Sequence, residues 1–160
     1  MQNSPGSDVR TLQEIPGQSA AGPSPLIYGA MAFLSFIGLV DSIYLTVQHV
    51  TGQSVRCTII TGCSAVLSSP YATVAGQPLA LIGAVAYFTV FSCAVLAAFG
   101  YKIAGKILAV IVGLMFLTTL WLLYLQAFVI KQFCQFCLVS AAVTILLTIL
   151  VFIGWRRRSR

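Results

Sequence analysis

Four apolar stretches dominate the chain, at about residues 26–48, 79–99, 107–130 and 135–155. Each is 21 to 24 residues long, and Asp41 is the single charged side chain within them. A helix needs about 20 residues to cross the hydrocarbon core of a bilayer, so the pattern predicts four transmembrane helices. The connections are unequal: 49–78 is long, 100–106 is short, and 131–134 is barely a turn. Residues 1–25 are rich in Ser, Pro, Gly and Gln and have no hydrophobic period. They cannot bury enough surface to offset their ordering entropy, so a disordered tail is expected. That tail has no apolar run behind a basic start and is not a signal peptide. No internal repeat is evident.

Within the long loop, Ser64 to Ser69 has room for one or two helical turns, with Ala65, Val66 and Leu67 facing the membrane. Pro70 and Gly76 end it. Such a piece over the bundle mouth would act as a lid that keeps water from a buried headgroup. The expected fold is therefore all-α: an integral membrane four-helix bundle with an extracytoplasmic loop containing a short lid half-helix. Its parts are a cytoplasmic tail at 1–25, the four-helix domain at 26–155 and a basic cytoplasmic tail at 156–160.

Composition agrees. Hydrophobic residues make up 59% of the 160 and charged ones 8%, against about 45–50% and about 25% in soluble domains. A soluble core of this length cannot hide that much apolar surface. The net charge of +6 resembles a nucleic-acid signal until the charges are placed. Threaded through four helices, Arg10, Lys102, Lys106, Arg156, Arg157, Arg158 and Arg160 fall on one side, and Arg56 and Lys131 on the other. Seven against two is a positive-inside bias. It puts both termini in the cytoplasm and the 49–78 loop outside. The terminal WRRRSR then reads as an anchor of snorkelling cations at a lipid surface, with no nucleic-acid partner.

Four of the five cysteines, Cys57, Cys63, Cys134 and Cys137, lie on the outward side in this topology. A bacterial periplasm or an ER-type lumen permits disulfides there. Cys93, within the second span, is expected to be a small packing residue. Cys134-Gln135-Phe136-Cys137 is a C-x-x-C at a helix start. Residues three apart share a helix face, and the dipole and unpaired N–H groups there favour a thiolate. The pair suits thiol–disulfide exchange, one sulfur attacking and the other resolving. A static bridge is the plain alternative. Half of a zinc site is another, although zinc wants four ligands and His49 is the only histidine. Cys57 and Cys63 stand six apart on a Gly-containing loop and can bridge if it turns back. Alone they would suggest a structural disulfide. Two pairs on one face suggest a relay, from an outside partner into the membrane, where a lipid-soluble quinone is the obvious acceptor.

At these residues the chain resembles the vitamin K epoxide reductase family, its bacterial members in particular. The resemblance rests on Cys57 and Cys63, the run from Cys63-Ser64 to Ser68-Ser69, Tyr71, Gly76, Gly83 and Cys134-Gln135-Phe136-Cys137, and spans about residues 26–155. It implies a bundle around a quinone, with ubiquinone and menaquinone both open. Cys137 would face the quinone, Cys134 would be its partner, Cys63 would exchange with Cys134, and Cys57 would meet an extracytoplasmic thioredoxin-like protein. Val66, Leu67, Tyr71, Leu79, Tyr87, Phe136 and Ala141 are the candidate quinone pocket. Animal members place an Asn near the start of the second helix and a Tyr four residues after the C-x-x-C. Here those positions are Leu79 and Ala141, which counts against epoxide reduction. Many bacterial members carry a fused thioredoxin-like domain. This sequence ends at Arg160, so a separate partner is expected unless that domain lies beyond it.

The leading expectation is a bacterial inner-membrane enzyme that passes electrons from the partner through both cysteine pairs to quinone, making disulfides for exported proteins. The alternatives are a vitamin K epoxide or quinone reductase in an ER membrane and a structural tetraspan protein with static disulfides. Asp41 has three readings: it handles protons at the quinone, pairs with a buried Tyr, or lies at the wet outer boundary.

Overall fold

The computed structural model describes residues 25–52, 63–74 and 76–158. The expected tail, apart from Pro25, lies outside these residues, as do Arg56 and Cys57. Helix α1 runs Pro25–Val50, opening on a proline whose fixed φ suits a first helical turn. The loop contributes α2 (Cys63–Leu67), a 3₁₀ turn at Pro70–Ala72 and a small antiparallel pair, β1 (Thr73–Val74) with β2 (Gln77–Pro78). Then come α3 (Leu79–Ala98), α4 (Lys102–Tyr124), a π-helical turn at Leu125–Ile130, and α5 (Gln135–Arg158). Among the described residues, α1, α3, α4 with its π turn, and α5 are long and apolar enough to cross a membrane.

Three boundaries differ from the hydrophobic pattern. Helix α4 starts at Lys102, about a turn before the apolar run, because the α3–α4 connection is one tight helix end. Gly100 has φ +93°. Its N–H bonds Ala97 O, and the N–H of Tyr101 bonds Leu96 O, a glycine-closed C-cap that leaves α4 nowhere later to begin. Lys102 and Lys106 stay tolerable there because long stems carry their charges outward. Helix α5 likewise runs on into the terminal arginines. The lid helix stops at Leu67 instead of reaching Ser69. Ser69 precedes Pro70 and is extended (φ −69°, ψ 151°), as the clash with a following proline ring demands.

The four long helices form a closed ring, α1 against α3, α3 against α4, α4 against α5, and α5 back against α1. One buried cluster fills the end where α1 begins, with Tyr28, Met31, Tyr87, Val90, Cys93, Leu108, Val112 and Leu147 at its centre. Small residues let the helices approach, as in membrane bundles generally. Gly38 of α1 lies directly under the Tyr87 ring of α3, so that a Cβ there would overlap it. Gly83 of α3 faces Ser42 of α1, with room for a methyl only 3.3 Å from its hydroxyl. Gly38→Ala is expected to destabilise the bundle by about 1–3 kcal/mol, the cost of overpacking a full core. Thermal unfolding in detergent reads this, and Tyr87→Leu in the same chain should recover part of the loss.

Large apolar side chains such as Phe33, Phe88, Leu117 and Phe152 point outward, where lipid is the solvent. The hydroxyls of Thr89, Ser92 and Thr118 donate to carbonyls one turn back, which satisfies them without water.

Candidate functional site

A second, smaller buried cluster sits at the loop end of the bundle: Leu45, Cys63 and Cys134, with Val66, Leu67, Ala80, Phe136 and Cys137 packed against it. Between the two clusters the helices enclose a cavity of about 360 Å³, within the usual range for small-molecule sites. Asp41, Ser42, Leu45 and His49 of α1 form one wall. Leu79, Gly83 and Tyr87 of α3, Met115 and Thr119 of α4, and Gln126 of the π turn form others. Cys137, Ser140, Ala141 and Thr144 of α5 complete the ring. Val66, Leu67, Ser69 and Tyr71 cover the loop side, and α2 rests on the π turn. The lid expected from the sequence is present, and Val66 and Leu67 face into the bundle. The Ala65 side chain lies outside the described residues.

The two sulfurs of the C-x-x-C meet each other but differ in their other neighbours. Cys134 caps α5: its carbonyl accepts the Leu138 N–H at 3.0 Å, the first bond of the helix. Cys137, one turn on, lines the cavity. Cys134 does not; it is 0% exposed and packs with Cys63. Both members of the C-x-x-C are free thiols. Cys63 is in a disulfide whose other half lies outside the described residues. The Cys137 thiol donates to the Cys134 sulfur, and the N–H groups of Cys137 and Phe136 add to it. Together they outweigh burial and hold Cys134 at about 7, below the ordinary thiol range.

The start of α5 is pinned from α4. The Cys134 N–H donates to Gln126 Oε1 at 3.2 Å, and Gln126 is itself buried. The π turn swings Gln126 inward; such insertions of one residue into a helix concentrate at functional sites. On the other side of the cavity the Tyr87 hydroxyl ties α3 to α5. It lies 2.8 Å from the Ser140 hydroxyl, 3.0 Å from the Ser140 carbonyl and 3.0 Å from the Thr144 hydroxyl.

Six of the seven pocket residues expected from the sequence, Val66, Leu67, Tyr71, Leu79, Tyr87 and Ala141, stand on the cavity wall. Phe136 does not. Its ring packs on Tyr44 with centroids 5.1 Å apart, because a helix turns the residue before Cys137 away from the face that Cys137 shares. Sequence reasoning missed Ser42, Gln126, Ser140 and Thr144. A signal for Gln126 existed: it is the one amide in the third apolar stretch, where a polar side chain marks function by default. Gln126→Leu is expected to leave the Cys134 N–H unpaired and to cost about 1–3 kcal/mol, read as a lower unfolding midpoint in detergent.

Residues 29–152 match the vitamin K epoxide reductase family. The chain belongs to that family. As a vitamin K epoxide reductase family protein it is a membrane redox enzyme. Members generally use quinones and work with thioredoxin-like partners. The match runs from the first turns of α1 almost to the end of α5, so it covers both the C-x-x-C and the cavity of this family member.

Proposed function

We propose that this chain is a quinone-dependent, disulfide-generating oxidoreductase. The observation that carries the reading is the split of one C-x-x-C between two environments, Cys137 on the cavity wall and Cys134 buried against Cys63. One sulfur is placed to meet a lipid-soluble acceptor, and the other to exchange with a loop disulfide.

In this reading a thioredoxin-like partner attacks Cys57 and leaves with its own two thiols joined as a disulfide, reducing Cys57 and Cys63. Cys63 then attacks Cys134 of an oxidised Cys134–Cys137 bridge, and Cys57 resolves the mixed disulfide. That restores the loop bridge and leaves both helix cysteines as thiols. Those two thiols give two electrons and two protons to the quinone, becoming a disulfide while the quinone becomes a quinol. Each exchange breaks one S–S bond and forms one, so no other redox reagent is required. The lid residues Val66, Leu67 and Tyr71 exclude water from the acceptor. Leu79 and Ala141 offer it no hydrogen bond, which favours simple quinones, ubiquinone or menaquinone, over an epoxide.

The proposed setting is a bacterial inner membrane, with both termini cytoplasmic, the four cysteines outside and exported proteins as the final beneficiaries. Residues 26–155 are the working unit, and 1–25 and 156–160 are tails.

Purified protein is expected to carry a quinone identifiable by absorbance and mass, and to reduce a short-chain ubiquinone or menadione with a reduced thioredoxin-like donor. Epoxide should be turned over far more slowly. A protein that reduces neither, and whose bridges a mild reductant leaves untouched, would instead be a structural tetraspan.

A further inference from the structure

Asp8, Glu14 and Asp41 are the three carboxylic side chains of the chain, and Asp41, within α1, is the one among the described residues. A carboxylate at membrane depth is unfavourable by about 3 kcal/mol on insertion scales and needs a reason. It lines the cavity between the four helices and is half-buried there. It is not paired with a buried tyrosine. The Tyr87 hydroxyl is engaged with Ser140 and Thr144. Asp41 Oδ2 is buried and has no hydrogen-bond partner among the described residues, a state that folded proteins seldom leave uncorrected.

The same cavity is lined by Cys137 of α5. Among the described residues the other titratable groups lining it are Tyr87 from α3, Tyr71 from the 3₁₀ turn and His49 at the far end of α1; α4 and its π turn add none. Tyr87 is committed to α5, and Tyr71 and His49 stand at the mouth. Asp41 is thus the free proton acceptor deep in the cavity.

We propose that Asp41 takes the proton of the Cys137 thiol and delivers it to a quinone oxygen. The inference rests on the reading of the cavity as a quinone site. The Cys137 S–H turns from the Cys134 sulfur to Asp41 Oδ2, its bond breaks with the proton passing to Asp41, and the sulfur keeps the electron pair it needs to react. Cys134 joins Cys137 as a disulfide, and two electrons pass to the quinone. Asp41 returns its proton to one quinone oxygen, and the Cys134 proton reaches the other. Asp41 ends as it began, and the sum is dithiol plus quinone to disulfide plus quinol. A positioned acid–base group of this kind contributes about a hundredfold or more to rate.

The test mixes reduced full-length protein in proteoliposomes with a short-chain ubiquinone and follows a single turnover across pH. Asp41→Asn is expected to slow the saturated rate about a hundredfold or more while leaving the quinone KM within about twofold. It should also remove the loss of rate at low pH that comes from protonating the acceptor, and Asp41→Glu should restore part of the rate. An Asp41→Asn protein with wild-type rate and pH profile overturns the proposal and leaves the quinone site standing. A wild-type protein that reduces no quinone removes that site, and the proposal with it. Should Asp41→Asn not fold, infrared difference spectra of wild-type protein between its thiol and disulfide states decide. A carboxylic C=O band shifted by carbon-13 aspartate supports the proton-holding role, and its absence overturns it.

Discussion

Cys137→Ala is expected to bring thiol-driven quinone reduction in membranes down to background, a loss of about a thousandfold or more, as when a reacting group of a concerted set is removed. Among the described residues the cavity wall then carries no thiol. Cys134→Ala should fail to the same degree for a different reason: Cys137 keeps its place on the wall but loses its link to Cys63. Cys93 is buried in the apolar cluster at the opposite end of the bundle, and Cys93→Ala should leave turnover within about twofold, as expected of a residue that only packs. The two null variants differ in what they accumulate. With Cys137 gone, Cys134 attacks the disulfide of Cys63 and no second helix thiol can displace it, so after acid quench a Cys63–Cys134 bridge, in exchange with the loop bridge that Cys57 can re-form, should appear on non-reducing mass analysis. Undiminished turnover without Cys137 would remove the proposed chemistry altogether.

Acid should slow the return exchange, in which the Cys134 thiolate opens the Cys63 disulfide. The thiolate is the nucleophile in exchange, and Cys134 is held at about 7 chiefly by the hydrogen bond from Cys137. Below that value the thiolate fraction falls about tenfold per pH unit, and above it the fraction saturates. Opening of the Cys63 disulfide by Cys134, followed by acid quench and alkylation, should therefore rise about tenfold per unit up to roughly neutral pH and then level off. In Cys137→Ala the donated hydrogen bond is absent, so the plateau should move to higher pH, toward the ordinary thiol range. A profile unchanged by that substitution would mean that the helix start, not the neighbouring thiol, sets the ionisation of Cys134.

Much of this was legible in the chain because membrane helices are written in a simple code. Four apolar runs of spanning length, with Asp41 their single charge, predict the four helices, and Pro70 sets a local limit for a steric reason that a single residue carries. The C-x-x-C was legible because its spacing equals one helical turn. The split of its two sulfurs between cavity and Cys63 was not derivable from spacing, since it depends on how α5 is rotated against its neighbours. The Tyr87 hydroxyl network and the Gln126 contact were also hidden. They join residues far apart in sequence, Tyr87 to Ser140 and Thr144, or depend on an extra residue in a helical turn that no periodicity announces. Phe136 shows the converse: expected in the pocket with its neighbour Cys137, it stands off the cavity wall and on Tyr44, because a helix turns successive residues by about 100°.

The complete burial of Cys134 has a consequence for selectivity. A sulfur without exposed surface is out of range for the small thiols dissolved around the membrane, however abundant or reducing they are. In the proposed relay electrons reach Cys134 only through Cys63, which already packs against it. Choice of donor then falls on the loop disulfide alone, and the helix pair works as an insulated conductor with one terminal. Loosening the lid over Cys134 would not stop the current. It would let it leak, and quinone would be consumed by any passing thiol.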